Sequence, residues 1–214
     1  MGGMIPLGDA SRRSGRWPII TVLLIVINIY VFTRELIYGD AFVFAFSAIP
    51  AQITHGHALG TLLTSMFMHA GWLHIIGNMI YLWAFGPETE AALGRIRFLA
   101  FYLIGGIIAM TAQVAAMPNS TVPSLGASGA IAAVMGAFLV IFPRDRIRTA
   151  LWFLFFVRIT YIPAVLLIGF WFVMQLFSQG EVTHAAQIGG VAYLAHIGGF
   201  LFGVFTGRIW KRST

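Results

Sequence analysis

Gly126-Ala127-Ser128-Gly129-Ala130 opens an apolar, small-residue segment that runs to about Phe142. Glycine, alanine and serine are common where two membrane helices pack closely, so the pentapeptide alone describes a packing surface. A second stretch changes its meaning. Ala195-His196-Ile197-Gly198-Gly199 places an ionisable imidazole in another apolar segment. Such groups are costly at membrane depth and mark function there.

Composition supplies the membrane. Of the 214 residues, 59% are hydrophobic and 9% are charged, against about 25% charged in a soluble domain. The expected fold is an all-α membrane protein, a compact bundle of six transmembrane helices at about 19–37, 72–85, 98–117, 126–142, 161–177 and 188–209. Residues 1–16 read as a short, basic, disordered cytoplasmic tail. Residues 17–210 read as one domain and 211–214 as a second tail. Residues 38–68 are broken by Asp40, Pro50, His55, Gly56, His57 and Gly60. They read as a partly embedded first outer loop, because irregular backbone cannot face lipid. Gly86 to Arg97 reads as a solvated, charged connection, and Trp152 to Val157 as an interfacial segment. An earlier start for span five would bring Arg158 to the membrane edge, and the sequence leaves both parses open. The first apolar run is too long for a signal h-region, so it is retained as a span. With the N-terminus inside, twelve of the thirteen Lys and Arg residues fall on the cytoplasmic side and only Arg34 outside, as the positive-inside rule demands. The net charge of +6 therefore points to a membrane and not to nucleic acid. There are no cysteines, which removes disulfides and thiolate chemistry.

Ser128 lies fifteen residues before Pro143, and His196 twelve before Arg208. At the helical rise these are roughly 22 Å and roughly 18 Å. His74, twelve residues before Gly86, comes out at the same height, some 10 Å below the outer surface of a core about 30 Å thick. Gly199, Gly203 and Gly207 repeat at i+4, as do Ser128, Ala132 and Gly136. Two such faces pack span four on span six and bring Ser128 opposite His196. A serine hydroxyl needs a neighbouring imidazole to take its proton. The seven acids, Asp9, Glu35, Asp40, Glu88, Glu90, Asp145 and Glu181, lie at other depths, so the expectation is a Ser–His dyad. His74 and Asn78 share a helix face. With the backbone N–H of Ser128 they are candidate donors to an oxyanion.

Gly-Ala-Ser-Gly-Ala (126–130), Ala-His-Ile-Gly-Gly-Phe-x-x-Gly (195–203) and His-Ala-Gly-Trp-Leu-His-x-x-Gly-Asn-Met (69–79) resemble the signatures of the rhomboid intramembrane serine proteases. Gly86-x-x-x-Glu90-x-x-x-Gly94 is similar to that family as well. The resemblance runs from about His69 to Gly203 in the order of the six-span bacterial type. It implies a serine endopeptidase with Ser128 as nucleophile, His196 as general base, and His74 and Asn78 at the oxyanion site. It further implies a structural histidine at His69 and a structural carboxylate at Glu90. Substrates would be membrane proteins cut in or beside a transmembrane helix at small or helix-loosening residues, entering between spans two and five. The chain departs from the pattern in two places. Gly60 and Thr61 stand where many members carry Trp-Arg. Ala132 stands where some carry an aromatic beneath the histidine, so another group has to support the His196 ring.

No cofactor or metal is called for, and the expected partners are transmembrane substrates and lipid. A bacterial plasma membrane is the expected location. His55, His57 and His184 read as solvated loop histidines, and Phe170 and Trp171 as candidates for a substrate gate. A non-catalytic relative that binds transmembrane clients is the alternative. A polar path through His74, Asn78 and His196 in a channel is a third reading, which leaves the serine between glycines unexplained.

Overall fold

A computed structural model describes residues 2–11, 17–153, 156–185 and 193–212. Helix α1 (Ile19–Tyr38) is followed by three short helices, α2 (Asp40–Phe46), α3 (Pro50–Thr54) and α4 (Thr61–Thr64), and a 3₁₀ turn at Ser65–Phe67. Then come α5 (Trp72–Leu93), α6 (Arg95–Ala116), α7 (Ser128–Ile141), α8 (Ala164–Ala185) and α9 (Tyr193–Trp210). By length and composition, α1 and α6 are apolar enough to cross a membrane, and α7 is a shorter apolar helix.

Helix α7 is the centre of the bundle. It is hydrophobic all round, and every residue from Gly129 to Phe138 is buried, as expected of a helix enclosed by others. Its neighbours are α5, α6 and α9. The approach of α9 depends on missing side chains. A Cβ on Gly199 would strike the Gly129 carbonyl, one on Gly203 the Ala133 carbonyl, and one on Gly136 the Phe200 carbonyl. The two backbones are in contact along the small-residue stripes. Phe85, Phe98, Phe101, Tyr102 and Phe138 fill the space around this seam.

Several boundaries differ from the sequence reading. The second span does not end at Phe85. Helix α5 continues to Leu93 with Pro87 inside it, and the expected solvated connection is largely core. Glu88, Thr89 and Glu90 are buried. Glu90 accepts hydrogen bonds from the Ile20 N–H at 3.1 Å, the Thr21 N–H at 2.8 Å and the Thr21 hydroxyl at 2.8 Å. It thereby satisfies the first N–H groups of α1, which no side-chain cap otherwise serves. Gly86 lets α1 come close, since a Cβ there would lie 2.8 Å from Thr21 Cγ2.

The second correction is a sheet. Residues expected in a disordered tail form strand β1 (Gly2–Asp9), antiparallel to β2 (Arg146–Phe153), which pairs with β3 (Phe156–Pro163). The described residues of the expected interfacial segment, 152–153 and 156–157, are therefore paired ends of β2 and β3, and span five starts at Ala164 rather than Tyr161. Val157, Ile159, Thr160, Tyr161 and Ile162 favour an extended chain, and Pro163 marks its end. Arg158 sits in β3, outside the helix. Helix α8 runs beyond 177 to Ala185 and includes position 184, which is therefore not in a loop. The stretch 188–192 assigned to span six lies outside the described residues.

Candidate active site

Ser128 is the first residue of α7, so its backbone N–H is among those a helix start leaves without an internal acceptor. The chain reaches it through Gly126, whose φ of +129° is a conformation L side chains rarely adopt. Gly126 is also needed for space. A Cβ there would lie 2.8 Å from His74 Cε1 and 2.9 Å from His74 Nε2, so the His74 ring rests against the backbone leading into Ser128. Gly126 N–H donates to the Ser65 carbonyl at 2.9 Å, which holds this approach in place.

His196 lies in the first turn of α9 and is buried. Its Nε2 is 2.6 Å from Ser128 Oγ. The α7–α9 glycine contacts one turn below produce that separation, as the sequence reading expected. The imidazole is flanked by Trp171 of α8, with ring centroids 5.7 Å apart at 40°, and by Tyr193, at 6.2 Å and 89°. The ring support that Ala132 cannot give thus comes from α8 and from α9 itself. From the sequence, Trp171 reads only as a candidate for a substrate gate. Its neighbour Phe170 is exposed on the outer face of α8.

His74 and Asn78 stand one turn apart on α5. The Ala70 N–H donates to His74 Nδ1 at 3.3 Å. A ring accepting at Nδ1 carries its proton at Nε2, the atom that faces Gly126 and the serine. Asn78 Nδ2 is buried and has no hydrogen-bond partner among the described residues, although buried donors are nearly always paired. Ser128, His196, His74 and Asn78 all line one cavity of about 700 Å³. Its remaining wall is mostly apolar, with Leu73 and Tyr81 from α5, Ile131 and Met135 from α7, and Trp171 from α8. The extended segment 122–125 forms another side.

His69 lies in the turn before α5. Its backbone N–H donates to both carboxylate oxygens of Glu35, at 2.9 and 3.1 Å. This ties the turn to α1, a link the sequence reading missed because it placed Glu35 by depth alone. Burial, with the nearby His74 adding to it, pushes the His69 imidazole down to about 3. The ring stays neutral against Phe32 and His74, 6.5 and 5.2 Å away between centroids. His55 and His57 are exposed, away from the cavity.

The chain matches the Rhomboid domain over residues 56–213. It is 31% identical to the rhomboid protease GluP of Bacillus subtilis, over 86% of this chain and 34% of that protein. It is 31% identical to the mitochondrial rhomboid protein 1 of Saccharomyces cerevisiae, over 69% of this chain and 40% of that protein. It is 32% identical to the human mitochondrial presenilin-associated rhomboid-like protein, over 67% of this chain and 36% of that protein. The chain thus spans about a third of the length of these relatives. With the matched domain covering both the Ser128 and the His196 helices, the chain belongs to the rhomboid family of membrane-embedded proteins.

Proposed function

We propose that the protein is an intramembrane serine endopeptidase that hydrolyses peptide bonds in or next to transmembrane segments. The observation that carries this reading is the 2.6 Å contact between Ser128 Oγ and His196 Nε2. In the reaction, the Ser128 hydroxyl donates its proton to Nε2 as Oγ attacks the scissile carbonyl carbon. The oxyanion that forms meets three donors: the Ser128 backbone N–H, the Asn78 amide and His74 Nε2–H. The imidazolium of His196 then passes its proton to the leaving amine. A water molecule, deprotonated by His196, cleaves the acyl-enzyme and restores Ser128.

The unpartnered Asn78 Nδ2 supports this assignment. In the free protein it is a desolvated donor without an acceptor, and an oxyanion would supply one. Helix α7 has 14 residues, a length of about 21 Å against a hydrocarbon core of about 30 Å. Its Ser128 end therefore falls short of one membrane surface. The substrate would enter through the gap between α5 and α8, both of which line the cavity. It would present small or helix-loosening residues whose peptide bond can leave the helix. With the basic residues on the inner side, the site would open toward the outer face of the membrane, which on this reading is a bacterial plasma membrane.

The test is cleavage of several model transmembrane substrates by the purified protein, beside Ser128→Ala and His196→Ala. The wild type is expected to cleave and both variants to lose nearly all activity while still binding substrate. A wild type that binds these substrates and cleaves none would instead identify a non-catalytic client-binding protein. Equal cleavage by Ser128→Ala would end the serine reading.

A further inference from the structure

At the end of the bundle remote from Ser128, four chain segments meet around a cavity of about 550 Å³. They are the entry to α1, the α5–α6 turn, the start of α6 and the end of α9. Arg95, Arg97 and Arg212 line it. Among the described residues, no hydrogen bond or ion pair occupies any of the three guanidinium groups. One carboxylate, Glu90, is in the wall, and its oxygens already accept from Ile20 and Thr21 at the start of α1. Three arginines against one glutamate leave two positive charges without a counter-charge.

Arg212 is held there by design of the backbone. Its N–H donates to the Ala92 carbonyl at 3.0 Å, and its side chain crosses Gly94, where a Cβ would lie 2.8 Å from Arg212 Cδ. Gly94 itself has φ +84°, so the residue that turns the chain also leaves room for the arginine. Guanidinium groups match phosphate oxygens in bidentate pairs.

The rim is not that of a site for a soluble anion. Trp17 is 77% exposed and Ile96 86% exposed, and both line the same cavity. Exposed tryptophan and isoleucine at the ends of membrane helices sit where hydrocarbon meets headgroups. The cavity is therefore polar inside and continuous with lipid at its edge. We propose that it binds the phosphate headgroup of an anionic membrane lipid. Basic pockets between helices on the positively charged side of a membrane protein are suited to that ligand. A bound headgroup would link the end of α9, which carries His196, to the end of α5, which carries His74 and Asn78. Binding of the lipid does not depend on the proteolytic reading.

The full chain in neutral detergent can be titrated with phosphatidylglycerol, phosphatidylcholine of the same acyl chains, and glycerol phosphate, and read by native mass spectrometry and thermal unfolding. The wild type is expected to retain phosphatidylglycerol, and to gain Tm from it, in preference to the other two. An Arg95→Gln, Arg97→Gln, Arg212→Gln variant should bind it about a hundredfold more weakly, at about fivefold per basic side chain near an anionic surface. An Arg144→Gln, Arg146→Gln, Arg158→Gln variant of equal net charge should bind like the wild type. If the first triple variant does not fold, Arg97→Gln against Arg97→Lys gives the same comparison, with loss expected only in the glutamine form. Equal retention of the two lipids, or equal loss in the two triple variants, would overturn the proposal. Glycerol phosphate bound as tightly as the lipid would make this a soluble-phosphate site and overturn the lipid assignment.

Discussion

The meeting of Ser128, His196, His74 and Asn78 is legible in the sequence because each holds a fixed position on one of three helices. Their convergence followed from helical rise and from glycine spacing, and the 2.6 Å contact agrees with it. Trp171 was not legible in its supporting part. An aromatic in an apolar span looks the same whether it faces lipid, a gate or an imidazole, and only the packing of α8 on α9 decides. Two substitutions separate the parts these residues play. On the proposed reading Asn78→Ala removes one oxyanion donor and should lower kcat about a hundredfold with little change in KM, as read from steady-state cleavage. Trp171→Ala removes a ring contact worth about 0.5–1.5 kcal/mol, so kcat should fall about two- to tenfold. Trp171→Phe should recover part of that loss. A Trp171→Ala variant that changed KM alone would assign the side chain to substrate passage instead.

At the scale of the helix, the stripes Ser128/Ala132/Gly136 and Gly199/Gly203/Gly207 foretold that α7 and α9 touch, since the absence of side chains is itself a sequence feature. Gly203→Leu would place a branched four-carbon side chain against the Ala133 carbonyl. Overpacking of a tight seam costs about 1–3 kcal/mol or more. The expected outcome is a lower Tm together with loss of cleavage, because the same seam sets the Ser128–His196 distance. The length of α5 was hidden. Pro87, Glu88 and Glu90 look like a break and a solvated turn, yet tertiary contacts bury both acids, Glu90 against α1 and Glu88 beside β1, while the helix continues through the proline. The sheet was hidden for a related reason. Strand β1 is glycine-rich and short, and its partner lies more than a hundred residues away. Local composition carries no trace of so distant a pairing.

Across the whole molecule, charge is divided between two ends. The arginines of the α5–α6 turn, the sheet and the end of α9 lie away from Ser128, while Glu35, His69, His74 and His196 lie toward it. The sheet end also contains a pH-sensitive contact. Asp9 of β1 is pushed up to about 6, first by burial and then by the neighbouring Asp145 and Glu88, against a hydrogen bond from the Ser11 N–H that lowers it. A carboxyl raised in the folded state binds its proton more tightly there than in the unfolded chain. Docking of β1 should therefore weaken as pH rises from about 4 through about 6 and stay at its weakest above that. Hydrogen exchange of the β1 amides, corrected for intrinsic rates, measures this, and Asp9→Asn should flatten the profile.

In the proposed dyad, His196 activates Ser128 within the folded membrane bundle. Labelling by a fluorophosphonate, with the modified residue located by mass spectrometry, tests it without any choice of substrate. The wild type should be labelled at Ser128, and His196→Ala should lose that labelling while retaining its Tm. Labelling of Ser128 that persists unchanged in a folded His196→Ala, or a wild type labelled elsewhere and not at Ser128, would contradict the dyad.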